Sequence, residues 1–368
     1  MVQGKGTQVG TADTATVRIG ALAPLSRPGW VEAGRHLLAG LELAAREVNG
    51  RGGILGKPIE LIVRDTAADP AKATAAVDEL AQLGVAALVG EYHSVVARAV
   101  AARADALGLP FLCSSAVLDA LAEQATDWVA RLPPAQSYGW RVYADFLLGA
   151  GHRRVAVAIQ SSVYWAAGVR ILRERLAAAG GSLVELDMST LAPDAVGDAL
   201  AGHGASALLL LVGYPEPAAS IVRAVRSDSR LTPLLIGAPA GQPEFAEWAS
   251  LLGQDGRAIP FLRYLPEQLS ELGVRIEKAL REQLAEAPSF VALEGYDTIM
   301  VLADVLQYRA EGLTCAQAWA RVAVEGTRGK IRFSRVPGIH VWQWAWAPVQ
   351  VVDRDPEQSE RYRILHTG

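Results

Sequence analysis

The feature of this sequence that most limits its fold is a regular alternation of short apolar runs with amphipathic stretches. Residues 17–22 have the pattern of a strand, and residues 33–48 follow at helical spacing. The same strand–helix pair recurs from 59–63 onward and ends with the strand 110–113. Parallel strands need a crossover, usually a helix, so this alternation predicts βαβ units around a parallel sheet.

The alternation starts a second time after Pro133 and Pro134. Residues 155–159 are again strand-like, and residues 207–212 form a continuous apolar run. Such a run is typical of a strand that is buried on both faces of a parallel sheet. A chain of 368 residues also has the length of about two domains. The sequence therefore predicts an α/β protein with two doubly wound parallel sheets.

Charge and motif content disfavour several classes of function. The net charge is -4, and nucleic-acid binders usually carry a basic face. The six histidines are scattered without metal-ligand spacing, and no Gly-x-Ser-x-Gly motif occurs. Residues 52–57 resemble a phosphate loop, but Pro58 stands where the metal-binding Ser or Thr would be. We therefore expect no enzyme, no cofactor, no metal and no nucleic-acid partner.

The two cysteines and the N-terminus say little about the compartment. Cys113 lies in an apolar run, so a buried thiol is favoured over a bridge to Cys315. Residues 1–15 are rich in Gly, Thr and Gln, and we expect a disordered tail there. They lack the apolar segment of a secretory signal. Two alternatives stay open: an intracellular protein, or an exported one whose signal is missing from this chain.

One motif points to a family. The helix that ends near Asn49 and Gly50 is followed by a glycine-rich turn and at once by the next strand, and residues 47–61 read EVNGRGGILGKPIEL. This resembles the connection found in type I periplasmic binding proteins, above all in their leucine/isoleucine/valine-binding and amide-binding branches. Further segments that resemble this family stand in its order between 17 and 352, at 19–26, 89–94, 212–214 and 294–297.

The resemblance implies two similar α/β lobes that are joined by three hinge strands. The chain would cross between lobes near 131–134, 260–264 and 336–340. Lobe one would then consist of residues 16–133 plus 264–338, and lobe two of residues 134–263 plus 339–368. In this family the ligand binds in the cleft, and the lobes close on it by a hinge motion.

Candidate ligand-binding residues in lobe one follow two predicted strands. Ligands of open α/β sheets bind at the carboxyl ends of the strands, where helix N-termini favour a carboxylate. Tyr92 and Ser94 follow one strand, and Ser114 and Ser115 follow the next. The resemblance implies a ligand-binding serine at Ser94 and often a threonine near Val117, whose hydroxyl is missing here. The alternative is that these serines only cap their own helices.

Aromatic residues are the candidates in lobe two and at the cleft entrance. Tyr164 and Tyr214 each follow a predicted strand and match positions of ligand-contacting tyrosines in the family. Trp165 stands where relatives usually have glycine, which would narrow the cleft. Trp30, after the first strand, is expected either to cover the ligand as a lid or to lie on the surface.

An acid that is typical of amino-acid-binding relatives is missing. It would follow the late strand of lobe two and pair with the ligand's ammonium group, but residues 237–243 contain no acid there. A buried ammonium without a carboxylate is costly. The ligand would then be an amide or an aromatic carboxylate. Alternatively, the charge could come from another acid: Glu91, Glu216, Glu244 or Asp297.

Together these observations predict a binding protein. The leading interpretation is a monomeric, extracytoplasmic solute-binding subunit of an ABC importer, membrane-associated and partnered by the transporter permease. Its ligand would be an amino acid, an amide or an aromatic carboxylate. The alternative is an intracellular ligand sensor, similar to amide-sensing relatives that regulate a partner protein.

Overall fold

The computed structural model describes residues 16–358 and 361–368 of the chain, so the tail expected at 1–15 lies outside the described part. Eleven α-helices and sixteen strands occur in the described part. The helices are α1 (Val31–Gly50), α2 (Pro70–Gln82), α3 (Ser94–Leu107), α4 (Gln136–Gly149), α5 (Val163–Ala178), α6 (Val196–Ala201), α7 (Ala218–Ser227), α8 (Ala246–Leu252), α9 (Glu271–Leu284), α10 (Phe290–Ala310) and α11 (Cys315–Arg321).

The first sheet contains seven strands in the order β13-β14-β5-β4-β3-β1-β2. All neighbouring pairs are parallel except β13 and β14 at one edge, which are antiparallel. These strands are β1 (Val17–Ala23), β2 (Ile59–Asp65), β3 (Ala87–Gly90), β4 (Phe111–Cys113), β5 (Val129–Arg131), β13 (Phe333–Arg335) and β14 (Trp342–Trp344). A separate hairpin joins β11 (Val324–Gly326) to β12 (Gly329–Ile331).

The glycine-rich motif closes α1 onto β2 as the sequence indicates. The Asn49 side chain accepts a hydrogen bond from the Ile59 N–H at 2.6 Å and donates to the Ile59 carbonyl oxygen at 3.0 Å. Gly53 has φ +74, and a Cβ atom there would lie 2.1 Å from the Lys57 carbonyl oxygen. Only glycine fits this position, because both its positive φ and its close backbone contact exclude a side chain.

The second sheet has four parallel strands in the order β7-β6-β8-β9. β8, one of its two inner strands, is buried at every residue, which agrees with the apolar run that predicted it. The strands are β6 (Arg154–Ile159), β7 (Ser182–Asp187), β8 (Ala207–Leu211) and β9 (Leu235–Gly237). The predicted α/β class with two parallel, helix-covered sheets is therefore confirmed.

A third, antiparallel sheet has the strand order β10-β15-β16. Its strands are β10 (Phe261–Arg263), β15 (Gln350–Arg354) and β16 (Tyr362–Thr367). The expected division of the chain into lobes remains a proposal, and its last boundary is moved to a position after β14. The crossing expected at 336–340 comes too early, because β14 still pairs with β5 in the first sheet and Arg131 Nε donates to Gln343 Oε1 at 2.6 Å.

Two further observations concern membrane-spanning helices and the three alternating tryptophans. No helix within 16–358 and 361–368 is long and apolar enough to cross a membrane. The alternation of Trp342, Trp344 and Trp346 predicts a shared buried face, which is wrong for the last of them. Trp344 is buried, but Trp346 is 88% exposed because the strand ends at Trp344 and a turn follows.

Candidate functional site between the two lobes

A cavity of about 270 Å³ lies between the lobes, at the carboxyl ends of the strands in both parallel sheets. All but two of the predicted ligand-binding residues line it. From lobe one these are Trp30, Tyr92, Ser94, Ser115 and Val117, and from lobe two they are Tyr164 and Trp165. Ser114 and Tyr214 are the two exceptions.

Ser94 is the first residue of α3, directly after the β3 loop. Its Oγ accepts hydrogen bonds from the backbone N–H groups of Val117 and Leu118, both at 3.3 Å. It therefore does not cap its own helix but fixes the loop that follows β4. Within 16–358 and 361–368 its O–H has no acceptor, so this proton is available on the cavity wall.

The two serines after β4 differ in what they contact. Ser115 lines the cavity, and its Oγ donates to Glu294 Oε2 at 2.5 Å. Ser114 is fully buried on the opposite side of the strand, where its Oγ accepts from the Gly90 N–H at 3.2 Å and lies 3.0 Å from Thr298 Oγ1. Ser114 therefore does not line the cavity, contrary to the expected placement, because neighbouring residues after a strand point in opposite directions.

The wall from lobe two is aromatic and comes from the first turn of α5. Ser162 caps this helix by accepting a hydrogen bond from the Trp165 N–H at 3.2 Å. Tyr164 and Trp165 pack against each other with ring centroids 4.8 Å apart, and Trp140 packs behind Tyr164 at 5.8 Å. Burial raises the pKa of Tyr164, so its hydroxyl stays protonated at neutral pH.

Trp30 connects the two lobes rather than lying on the surface. Its ring is half-buried, 5.5 Å from Tyr92 in lobe one and 5.1 Å from Tyr214 in lobe two. Tyr214 itself stacks on Trp248 at 6.2 Å, and its buried hydroxyl has no hydrogen-bond partner among the described residues. Tyr214 therefore contacts Trp30 and, unlike the other predicted residues of lobe two, does not line the cavity.

The sequence prediction missed His93, which lines the cavity between Tyr92 and Ser94. His93 Nε2 accepts a hydrogen bond from the Trp30 N–H at 3.1 Å. Burial lowers the pKa of His93 to about 4, so the ring is neutral at pH 7 and keeps this acceptor. Its position between two predicted residues was the only available signal. Tyr264 and Phe290 also line the cavity and come from distant parts of the chain.

None of the four alternative acids lines the cavity. Glu91 is fully buried, and it accepts from Thr66 Oγ1 after β2 at 2.6 Å and from the N–H groups of Tyr92 and His93 in its own loop. Burial raises the pKa of Glu91 to about 7. Glu216 is exposed in the turn before α7 and accepts from the Ser220 N–H at 3.2 Å.

The other two acids are engaged elsewhere. Glu244 accepts from the Phe290 N–H at 3.0 Å and forms an ion pair with Arg263 at 2.9 Å, beside a second, larger cavity. Asp297 forms a fully buried ion pair with Arg328 at 3.1 Å. Among the described residues, those that line the interlobe cavity therefore include no Asp, Glu, Lys or Arg.

Polar contacts also join the lobes outside the cavity. Glu32, at the start of α1, accepts hydrogen bonds from the N–H groups of Ala246 at 2.6 Å and Glu247 at 3.1 Å, at the first turn of α8. Arg27 forms an ion pair with Glu247 at 2.6 Å. These contacts join the start of α1 in lobe one to the start of α8 in lobe two.

One cluster has the composition of a metal site but not its hydrogen-bond pattern. Glu32, His36 and Glu286 place ligand atoms within 4.8 Å of one another. However, His36 Nδ1 accepts from the Ser289 N–H at 3.0 Å, so the ring proton is on Nε2 and is donated to Glu286 at 2.8 Å. Both ring nitrogens are thus occupied, and the arrangement does not fit a cation.

Comparison with known proteins places the chain in a family. The model of the periplasmic binding protein family matches residues 16–351. Leu/Ile/Val-binding protein homolog 8 of Brucella abortus is 32% identical over 139 residues, which are 38% of this chain and 34% of that protein. Homolog 7 of Brucella melitensis is 31% identical over 122 residues, 33% of this chain and 30% of that protein. The chain thus matches about a third of the length of these curated relatives.

Solved structures show the same fold over almost the whole chain. The leucine-binding protein LivK of Thermotoga maritima has a TM-score of 0.81 at 18% identity, covering 95% of this chain and 97% of that one. LivJ of Streptococcus pneumoniae, in complex with isoleucine, has a TM-score of 0.81 at 20% identity, covering 96% and 100%. A solute-binding protein of R. palustris in complex with benzoate has a TM-score of 0.79 at 18% identity, covering 96% of both chains. This chain belongs to the periplasmic binding protein family.

Proposed function

We propose that this chain is an extracytoplasmic solute-binding protein of an ABC importer that closes its two lobes around a small carboxylate or amide. The observation that carries the proposal is the cavity between the lobes, which combines the Ser94 and Ser115 hydroxyls with the Tyr164 and Trp165 rings. Small-molecule sites typically have such mostly apolar walls with a few placed polar groups. The proposed role is binding, not catalysis.

The electrostatics of the wall favour an acceptor at the polar end of the ligand. The N-termini of α3 and α5 both abut the cavity, through Ser94 and Val95 on one side and through Ser162 and Tyr164 on the other. Free N–H groups and a partial positive charge at a helix N-terminus favour a carboxylate or carbonyl oxygen.

The apolar part of the ligand would contact the aromatic wall. The absence of acids among the described lining residues argues against a free ammonium group. A solute with a carboxyl or amide group on a small aromatic or branched body therefore fits best. Two proteins of similar fold support this range, since they were solved in complex with benzoate and 4-hydroxybenzoate, which have no ammonium group.

Import is supported over intracellular sensing by the same comparisons. The family is named for periplasmic binding proteins, and proteins of similar fold are described as ABC transporter substrate-binding proteins. The proposed partner is accordingly the permease of such a transporter, and the protein would act as a monomer outside the cytoplasmic membrane. Secretion of the product of the full-length gene would separate import from sensing.

A thermal-shift screen over amino acids, amides and aromatic acids tests the proposal. A ligand at ~100 times its dissociation constant should stabilise the protein by about 2.7 kcal/mol. Ala240→Leu, which fills the interlobe cavity, should abolish the shift. Ala287→Leu, which projects into the second cavity, should preserve it. A hit that binds both variants equally well would place the ligand elsewhere and refute the proposal.

A further inference from the structure

The two serines of the cavity wall offer opposite hydrogen-bonding groups. Ser94 Oγ already accepts two hydrogen bonds, from the N–H groups of Val117 and Leu118. A hydroxyl has two lone pairs and one proton, so both acceptor positions of Ser94 are used and only its proton remains. Ser94 can therefore donate to a ligand oxygen but has no free lone pair for a ligand N–H.

Ser115 offers lone pairs instead of a proton, because its proton is donated to Glu294. Glu294 is fully buried outside the cavity, and its Oε1 accepts from Arg328 at 3.1 Å. Its Oε2 is thereby left for Ser115, and when Glu294 is ionised this oxygen accepts the hydrogen bond of the Ser115 hydroxyl at 2.5 Å. Ser115 consequently presents only lone pairs to the cavity, and it can accept a hydrogen bond but not donate one.

Arg328 fixes the orientation of Glu294. Its guanidinium also donates to Asp297 at 3.1 Å and to the Tyr264 carbonyl oxygen at 3.3 Å, and all three charged side chains are fully buried. A buried network of charge-assisted bonds has few alternative arrangements. The direction in which the Ser115 hydroxyl donates its hydrogen bond is therefore set by residues that the ligand does not contact.

If the chain binds a solute as proposed above, the geometry points to a primary carboxamide as the polar group that this cavity selects. Its carbonyl oxygen would accept the Ser94 proton, and its N–H would be donated to Ser115. We infer that Glu294 is the positioning residue behind this selectivity. The apolar body of the amide would contact Tyr164 and Trp165.

The charged analogues of an amide fit this pair less well. A carboxylate has only lone pairs, so one of its oxygens would face the lone pairs of Ser115. An ammonium has only protons, so it would leave the Ser94 proton without an acceptor, and no acid among the described residues lines the cavity to balance its charge. A buried polar group left without a partner lowers affinity by roughly tenfold or more.

The substitution Glu294→Gln separates this inference from a purely structural role. The carbonyl oxygen of the substituted side chain has to face Arg328, because an amide nitrogen cannot accept the Arg328 proton. The amide nitrogen then donates to Ser115 and releases the Ser115 proton into the cavity. The wall would offer two donors, and the preference should shift from amide toward carboxylate.

The test is isothermal titration calorimetry with two matched series of ligands at pH 8, above the Glu294 pKa of about 7, so that Glu294 is mostly ionised. One series is benzamide, benzoate and benzylammonium, and the other is isovaleramide, isovalerate and isopentylammonium. In whichever series binds more tightly, the native protein should bind the amide at least about tenfold more tightly than either charged analogue. Glu294→Gln should reduce or reverse this ratio. Ser114→Ala, a neighbouring buried serine outside the cavity, should leave the ratio unchanged.

The outcomes separate the inference from the proposed function. Equal or tighter binding of the carboxylate or the ammonium by the native protein would overturn the inference, as would failure of all six compounds to bind. The proposed function would be refuted only if the wider solute screen also gave no ligand. If Glu294→Gln does not fold, Ser115→Ala replaces it and should weaken amide binding by about tenfold without weakening carboxylate binding.

Discussion

Replacing Arg328 by methionine should destabilise the protein strongly, because it leaves two buried carboxyl groups without their cation. Arg328 lies 3.1 Å from both Glu294 and Asp297, and all three side chains have no exposed surface. Removing one partner of a buried ion pair costs about 3–5 kcal/mol. We expect a loss of that size in the free energy of unfolding of Arg328→Met at neutral pH.

The stability lost in Arg328→Met should also depend on pH, and the direction of this dependence follows from the pKa values of Glu294 and Asp297. Burial raises the pKa of Glu294 to about 7, and it also raises the pKa of Asp297. The folded protein therefore holds protons that the unfolded chain releases above its ordinary carboxyl pKa, and stability from these groups is lost as pH rises. Without Arg328 both pKa values rise further, so the variant should lose less stability at pH 5 than at pH 8.

Urea denaturation at pH 5 and pH 8, followed by circular dichroism, measures both effects. Arg275→Met is the matched control, because Arg275 pairs with Glu47 at 2.6 Å on the surface, and its loss should cost at most about 1 kcal/mol. Combining Arg328→Met with Glu294→Gln and Asp297→Asn should restore most of the stability, since no buried charge then remains in this cluster. A loss below about 1 kcal/mol for Arg328→Met, or a larger loss at pH 5, would refute the reasoning.

Three further predictions concern the cavity and its closure. Ser94→Ala leaves two buried N–H groups unsatisfied, so it should lower the free energy of unfolding by about 1–3 kcal/mol in urea titrations and also weaken ligand binding by about tenfold or more. Glu32→Ala removes the contacts to α8 and should raise the calorimetric dissociation constant about fivefold through weaker closure, whereas Glu60→Ala, an exposed acid within lobe one, should not. The lowered pKa of His93, about 4, means that its contribution to stability is lost as pH falls from 6.5 toward 4, so His93→Gln should flatten the pH dependence of unfolding in that window.

The main features of the fold could be predicted from the sequence because each rests on local pattern. The buried strand β8 follows from its continuous apolar run, and the turn after α1 follows from Asn49 and Gly53. The place of Ser94 after β3 and at the start of α3 follows from the strand–helix pattern, whereas its expected ligand-binding role is implied by the family resemblance. These features need no knowledge of distant contacts.

Other parts of the site depend on contacts that periodicity does not encode. Ser114 and Ser115 are adjacent, yet only the second faces the cavity, because the direction of each side chain is set by the end of β4. Tyr214 follows a strand as predicted but packs on Trp30 instead of the cavity. The hydrogen bond that orients the Ser115 hydroxyl goes to Glu294, 179 residues further along the chain, and no local pattern indicates that contact.

The position of a bound solute tests the central claim most directly. A crystal structure with the strongest stabiliser from the solute screen should show that molecule between the lobes, with its polar end at Ser94 and Ser115 and its apolar body against Tyr164. Density for the solute anywhere else would contradict the claim. So would closed lobes with an empty cavity in crystals grown under conditions in which calorimetry shows saturation.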